Sequence, residues 1–148
     1  MKDFDGWNIQ KKKIDEIEKN QWCHERDVWW AKLGVNIGYE QDGKGESHLR
    51  PVLIVKKFNM EMCLVVPLTT KQKTGKYYIS YINREGVPII AITSQLRLID
   101  TKRLYKKKER LGTSDFLRIR QAIAEFFCDR FSTFLSHLAV RRSPKAYV

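Results

Sequence analysis

The sequence predicts a mainly β domain, a compact barrel or sandwich with one helix at each end. Six short runs of β-type residues separated by polar turns occupy residues 28–99. Apolar residues recur every three or four positions only near the two ends, as in amphipathic helices. No helical pattern separates the strands, which argues against a βαβ sheet. At 148 residues, the chain has the length of one domain with a proper core.

The first predicted element is an amphipathic helix over residues 6–21. Trp7, Ile14, Ile17 and Trp22 fall near helical spacing, and charged residues fill the other faces. Such a helix needs a surface on the domain or on a partner to bury its apolar stripe. We therefore interpret residues 1–26 as an N-terminal extension.

The strands follow along the chain. A polar, Gly-rich loop at residues 34–50 precedes the second strand. The second and third strands are nearly continuous apolar runs, typical of strands buried on both faces. The predicted strands span residues 28–33, 52–58, 62–68, 77–82, 88–93 and 95–99.

A second helix is predicted to close the domain and pack on the sheet. Thr113 or Ser114 can cap its start, and Asp115 suits the positive end of the helix dipole. We expect the domain to span residues 27–138 and a basic tail to occupy residues 139–148. The apolar stripe consists of Phe116, Ile119, Ile123, Phe126, Phe127, Phe134 and Leu138.

The charge distribution favours a polyanionic partner. The formal net charge is +11, and all of it falls in residues 71–148. Nucleic acid is the first expectation; an anionic membrane, an acidic protein or a merely solvated face are alternatives. No run of residues has the length and apolarity of a membrane span, and the N-terminus does not resemble a secretory signal, so we expect a cytoplasmic protein without membrane association. The basic residues cluster at Lys71, Lys73 and Lys76, at residues 101–110, and at Arg141, Arg142 and Lys145.

Several chemistries lack their motifs in this sequence. The three cysteines include no CxxC pair, so we expect neither a zinc site nor a disulfide framework, and no cofactor. There is no phosphate-binding glycine loop, GxSxG elbow or HExxH pair. What remains is a polar set bordering the strands: Glu40, Gln41, Arg50, Thr69, Thr70, Gln95 and Arg97.

The order of five segments resembles the MazF/PemK family of toxins from toxin–antitoxin systems. The segments are DVWWAKL, GYEQ, RPVLIV, VVPLTT and SQLRLID followed by KRL, and they lie within residues 26–136. The resemblance implies a small SH3-like β-barrel with a C-terminal helix, assembled as a homodimer. It also implies a metal-independent endoribonuclease that acts on single-stranded RNA, and a cognate antitoxin whose disordered tail covers the active site.

The resemblance also implies roles for individual residues. Arg50 matches the family's essential arginine, and its donors suit phosphate oxygens. Thr69 matches the active-site threonine, and Glu40 is the candidate general base. Gln41 and Gln95 are expected to shape the pocket or contact bases, and Thr70, Lys71 and Lys73 to contact the substrate.

Each of these residues also has a structural interpretation. Arg50 can pair with Glu40 or Asp42 within the loop, Thr69 can satisfy a strand end, and Glu40 can be a loop residue. The insertion at residues 42–49 makes the loop longer than in typical members, which bears on cleavage specificity. One branch of the family uses an Arg and an Asp beside the last strand, and this sequence has Ile92 and Ser94 there, which favours the Arg50 and Thr69 mechanism.

Two other functions remain open because a shared fold does not fix function. One is a toxin of the related CcdB type, which poisons DNA gyrase and does not need Arg50 and Thr69 as a catalytic pair. The other is a non-catalytic nucleic-acid-binding or regulatory module.

Overall fold

The computed structural model describes residues 1–128. This part of the chain folds into an antiparallel sheet of seven strands and two helices. Helix α1 spans Phe4–Asp15, and α2 begins at Thr113 and is described through Cys128. No helix within these residues is long and apolar enough to cross a membrane. The strands are β1 Asp27–Lys32, β2 Leu49–Lys57, β3 Met62–Thr69, β4 Tyr78–Ile82, β5 Pro88–Ile92, β6 Arg97–Asp100 and β7 Leu104–Arg110.

Strand β3 organises the sheet, whose strand order is β4-β5-β3-β2-β1-β7. One edge of β3 pairs with β2. The other edge pairs first with β6, through Met62 to Val65, and then with β5, through Leu68 and Thr69. Two different strands thus meet along one edge of β3. This mainly β architecture with a C-terminal helix confirms the predicted fold class.

The core lies on both faces of the central strands. In β2, Val52 and Ile54 belong to one cluster of buried side chains, whereas Leu53 and Val55 belong to another. This division follows from the two-residue period of a strand, which sends neighbouring side chains to opposite faces. The prediction that β2 and β3 are buried on both faces is confirmed.

Helix α2 covers one of these clusters, as its apolar stripe predicts. Phe116, Ile119 and Ile123 are buried against β2, β3 and β5, whereas Phe127 is 73% exposed. The predicted continuation of the stripe, the basic tail and the third basic cluster lie outside the described residues: Phe134, Leu138, residues 139–148, Arg141, Arg142 and Lys145.

Helix α1 is shorter than the sequence predicts. Trp7 and Ile14 are buried as expected, but Ile17 and Trp22 are exposed, at 36% and 62%. The chain leaves the helix after Asp15, whose carbonyl accepts a hydrogen bond from Lys102 Nζ at 3.0 Å. Farther along, Asn20 Nδ2 donates to Asp100 Oδ1 at 3.0 Å and Thr101 Oγ1 at 2.8 Å. Contacts made after the helix, with the 3-10 turn at Thr101–Arg103, therefore replace its last predicted turn.

Strand β7 was not predicted from the sequence. It lies at the edge of the sheet beside β1, and most of its side chains, including three consecutive lysines, are exposed. A charged edge strand lacks the alternation of apolar and polar residues by which strands are predicted from sequence. Lysines on such a strand discourage edge-to-edge aggregation. Four of the six basic residues at positions 101–110 thus belong to an edge strand of the sheet.

Asp27 joins β7 to β1 by a buried carboxylate. It is 1% exposed, its Oδ1 lies 2.9 Å from Lys107 Nζ and 3.1 Å from Arg110 Nη1, and its Oδ2 accepts from the His24 N–H at 3.1 Å.

We expect Asp27→Ala to lower the free energy of unfolding by about 2–3 kcal/mol, measured by urea denaturation. Removing the buried carboxylate leaves its hydrogen-bond and ion-pair partners without an acceptor. The loss of stability is reduced because the two cations are partly exposed and can be solvated. Asp115→Ala is the control, because it breaks the exposed pair with Arg118, which should matter by at most about 1 kcal/mol. Equal effects of the two substitutions would contradict a special role for Asp27.

Candidate functional site

Arg50 and Thr69 lie side by side at the ends of two neighbouring strands. The antiparallel register of β2 and β3 pairs Val52 with Pro67. Continuing that register by two residues sets Arg50 opposite Thr69, with both side chains on the face that carries Val52. The two residues are 9% and 8% exposed. The structure thus brings together the two residues that the sequence predicted as the catalytic pair.

The Arg50 guanidinium is held by backbone carbonyls rather than by a carboxylate. Its Nε donates to the Asp42 carbonyl, and its Nη1 lies 3.5 Å from the Leu68 carbonyl oxygen. The predicted alternative of an ion pair with Glu40 or Asp42 is not found within the described residues, because the Asp42 carboxylate pairs with Lys2 Nζ at 2.9 Å. Burial lowers the pKa of Arg50, and the nearby Asp42 charge opposes that effect. These two hydrogen bonds use two of the five guanidinium N–H donors, so three remain for a ligand.

Thr69 presents a hydroxyl at the strand position opposite Arg50. Its Oγ1 accepts a hydrogen bond from the Lys71 N–H at 3.2 Å. The hydroxyl proton is not used by that bond and can be donated to a second group. Thr69 therefore satisfies the strand end and offers a donor at the same time, which combines its two predicted interpretations.

Glu40 is exposed and belongs to a turn of the β1–β2 loop, residues 33–48. Its Oε2 accepts from the Ile37 N–H at 3.0 Å, and its own N–H donates to the Ile37 carbonyl at 3.1 Å. These bonds agree with the loop interpretation of Glu40. No described contact joins its carboxylate to Arg50 or Thr69, so its role as the base stays a prediction.

Gln95 fastens the same loop to the barrel. Its Oε1 accepts from the Gln41 N–H at 3.2 Å, and its Nε2 donates to the Tyr39 carbonyl at 3.1 Å. The structure thereby brings Gln41 and Gln95 together, and their role in shaping a pocket or contacting bases stays a prediction. They adjoin a cleft of about 350 Å³ lined by Glu40, Ser94, Gln95, Leu96, Arg97 and Leu98.

The segment after Thr69 is an exposed basic edge. Thr70, Lys71 and Lys73 are exposed. Lys73 Nζ lies 5.3 Å from the centre of the Tyr78 ring. These side chains follow the candidate site directly in the chain, so an anion held by Arg50 and Thr69 has positive charge beside it.

Two contributors to this site were missed by the sequence prediction. Lys2 neutralises Asp42, and Asn36 donates from its side chain to the Gln41 carbonyl at 2.8 Å. Both act on the loop through contacts that the chain's folding creates, and no local motif marks them. Within residues 1–128, no group of three His, Cys, Asp or Glu side chains is placed to hold a metal ion.

A buried guanidinium beside a hydroxyl donor is suited to an oxyanion. A phosphate group accepts paired hydrogen bonds from a guanidinium fork, and these bonds are stronger in a partly buried site. A basic edge draws a longer polyanion toward such a site. The arrangement is therefore chemically suited to a phosphate ligand, with positive charge beside it.

Comparison with known proteins gives one family and several similar structures. Residues 24–127 match the family of PemK-like, MazF-like toxins of type II toxin–antitoxin systems. No curated protein matches the sequence.

The similar structures share the fold at low sequence identity. MazF from Deinococcus radiodurans is 14% identical, with a TM-score of 0.58 over 73% of this chain and 98% of that one. An endoribonuclease from a mycobacterial species, in complex with its cognate antitoxin, is 14% identical with a TM-score of 0.56 over 74% and 99% of the two chains. The Mycobacterium tuberculosis toxin MazF-mt6 is 19% identical with a TM-score of 0.53 over 69% and 96%.

Proposed function

This chain belongs to the PemK-like, MazF-like family of type II toxin–antitoxin toxins, and we propose that it is a metal-independent endoribonuclease acting on single-stranded RNA. The observation that carries the proposal is the pairing of Arg50 with Thr69: a buried guanidinium held by carbonyls, next to a hydroxyl whose proton is available. A similar structure is described as an endoribonuclease in complex with its antitoxin.

The proposed reaction uses the nucleophile of the substrate. The 2′-oxygen attacks phosphorus, a base takes its proton, and the P–O5′ bond breaks as O5′ gains a proton. The products are a 2′,3′-cyclic phosphate and a 5′-hydroxyl. Arg50 and Thr69 donate hydrogen bonds to the non-bridging oxygens, whose charge grows in the phosphorane transition state. Glu40 is the proposed base, and its turn would have to open to bring the carboxylate to the 2′-hydroxyl.

The surroundings of the pair fit a single-stranded substrate. Tyr39 is 97% exposed on the loop that Gln95 fastens, so it offers a ring on which an unstacked base can stack. Gln41, Gln95 and Thr70 border the path, and Lys71 and Lys73 extend it. We propose a homodimer in the cytoplasm, with RNA in the groove between protomers. An antitoxin tail with acidic character would bind the same basic surface.

The test is cleavage of a long single-stranded RNA by the pure protein in EDTA. The expected result is discrete fragments with 2′,3′-cyclic phosphate and 5′-hydroxyl ends, and no cleavage of the same sequence made as 2′-O-methyl RNA. No cleavage by a folded protein would overturn the proposal. If such a protein also stabilised gyrase–DNA complexes, the CcdB-type function would replace it.

The basic edge gives a separate prediction about binding. We expect Lys71→Ala/Lys73→Ala to weaken binding to 2′-O-methyl RNA and to reduce the slope of log K against log salt by about 1.4, since each phosphate contact to a single strand contributes about 0.7. Fluorescence anisotropy over a salt series measures both. Lys13→Ala/Lys19→Ala carries the same charge change on exposed positions of the N-terminal extension. Equal slopes in the two double variants would show that net charge, not this edge, attracts RNA.

A further inference from the structure

Helix α1 lies outside the part of the chain that the family match covers, and it packs on the β1–β2 loop. The match begins at residue 24, whereas α1 ends at Asp15. Its buried residues are Trp7 and Ile14. The loop beneath it carries Asp42, whose carbonyl accepts from Arg50 Nε.

Trp7 holds the two ends of this loop. Its ring lies against Gly34, where a Cβ atom would stand only 2.0 Å from Trp7 Cε2. Gly34 also has a φ of +81°, so glycine is required there for two reasons. On the other side, the Trp7 ring centre is 5.3 Å from that of His48, the last residue of the loop. Trp7 therefore spans the start and the end of the loop.

Lys2 holds the middle of the loop. Its Nζ lies 2.9 Å from Asp42 Oδ2 and donates to the Asn36 carbonyl at 2.7 Å. The other oxygen of Asp42 accepts from the Asn36 N–H at 2.7 Å. Lys2, Asn36 and Asp42 form one network, and Asp42 is the residue that contacts Arg50.

The charge state of Asp42 agrees with this network. Burial acts to raise the pKa of Asp42, but the hydrogen bonds from Lys2 and from the Asn36 N–H outweigh it, with help from the Arg50 charge. The pKa of Asp42 is held below its usual value as a result. Asp42 is therefore an anion at neutral pH and keeps its bond to Lys2.

We propose that Lys2 and helix α1, which follows it, form a positioning element of this site, in which Lys2 and Trp7 fix the β1–β2 loop so that the Asp42 carbonyl aims the Arg50 guanidinium at the scissile phosphate. The proposal rests on the proposed ribonuclease function for its effect on turnover. The structural part of the proposal, that Lys2 fixes the loop, depends only on the contacts of Lys2 with Asp42 and Asn36.

The Lys2–Asp42 pair contributes little to global stability. Both side chains are about one-third exposed, at 36% and 31%, so water and salt screen the attraction between their charges. A misplacement of about 1 Å in a catalytic group, in contrast, can cost on the order of 100-fold in rate. The signature of a positioning role is thus a loss of kcat without a comparable loss of stability.

The experiment compares Lys2→Ala, Asp42→Ala and the double variant with Lys13→Ala, which removes the same charge from an exposed position of α1. Asp42→Ala keeps the backbone carbonyl that Arg50 uses. We expect Lys2→Ala and Asp42→Ala each to lose about tenfold in kcat, with KM nearly unchanged. Lys2→Arg, which keeps the positive charge, should retain most of the original kcat. The double variant should lose no more kcat than either single variant, because each single substitution already breaks the same ion pair. Wild-type kcat in both single variants, or losses that multiply, would overturn the role in turnover.

Amide hydrogen exchange separates this proposal from the proposed function. The Asn36 N–H donates to Asp42, and the Gly43 N–H donates to the Gly34 carbonyl at 2.8 Å, so both report on the loop. We expect faster exchange of these two amides in Lys2→Ala than in Lys13→Ala. Unchanged exchange would refute the fixing of the loop by Lys2, whether or not RNA is cut. Faster exchange in a protein that does not cut RNA would instead leave the loop assignment standing and reject the ribonuclease.

Discussion

Arg50→Lys should lower kcat for RNA cleavage by about 100-fold or more, even though the positive charge is retained. One guanidinium here serves two purposes: Nε and Nη1 donate to the Asp42 and Leu68 carbonyls, and three further donors are left for a ligand. A lysine ammonium is a single point of charge and cannot hold the carbonyl while presenting a two-pronged donor to phosphate. Loss of one preorganised donor commonly costs 100- to 1,000-fold, about 3–4 kcal/mol, in transition-state stabilisation.

Single-turnover cleavage in EDTA measures this loss, and Arg50→Ala should lose at least as much. Arg84→Lys is the matched control, because Arg84 is exposed in the turn between β4 and β5 and its described contact is with Glu109, not with the site. Thermal unfolding shows whether the variants are folded. If Arg50→Ala cleaves as well as the original protein, a contaminating nuclease accounts for the activity and the assignment of Arg50 is wrong.

The strands that build this site were predictable because burial shapes their sequence. β2 and β3 have apolar side chains on both faces, since each face contributes to a separate cluster. β7 carries no such signal, because its lysines face solvent at the sheet edge. The early end of α1 was also not predictable, since Asn20 and Lys102 form hydrogen bonds with residues 80 or more positions away in the chain.

The proposed catalytic pair was reached from the sequence only through the family resemblance. Nothing in the spacing of Arg50 and Thr69 shows that their strands pair in a register that sets them opposite each other. Other contacts of the site also join segments that are distant in the chain. Examples are the hydrogen bonds of Gln95 with residues 39 and 41 and the ion pair of Lys2 with Asp42. Such contacts have no period or motif, which explains why the sequence predicted the residue types of the site better than their partners.

Some of the basic residues make structural contacts and others are exposed beside the candidate site, a division that composition does not reveal. Lys107 and Arg110 neutralise the buried Asp27, and Lys102 binds the end of α1. The cluster at Lys71 and Lys73 adjoins Thr69 and is exposed. Among the basic residues that the structure describes, this second group lies next to Thr69, and we expect it to draw a polyanion toward Arg50.

Thr69→Val should lower kcat by about 100- to 1,000-fold while leaving KM within about threefold. Valine keeps the β-branched shape that the strand end accommodates, and it removes both the acceptor for the Lys71 N–H and the donor facing the phosphate. Thr69→Ser is the matched control, because it keeps the hydroxyl and loses only a methyl group. We expect the serine variant to stay within about tenfold of the original kcat.

Combining the two substitutions tests whether Arg50 and Thr69 act on one phosphate. Groups that stabilise the same transition state are strongly non-additive, so Arg50→Ala/Thr69→Val should be scarcely slower than the slower single variant. Losses that multiply would place the two residues on separate tasks, for instance Thr69 on the 2′-oxygen and Arg50 on the phosphate. A valine variant that is folded and retains full kcat would reduce Thr69 to the cap of β3 and leave Arg50 as the sole phosphate donor of the pair.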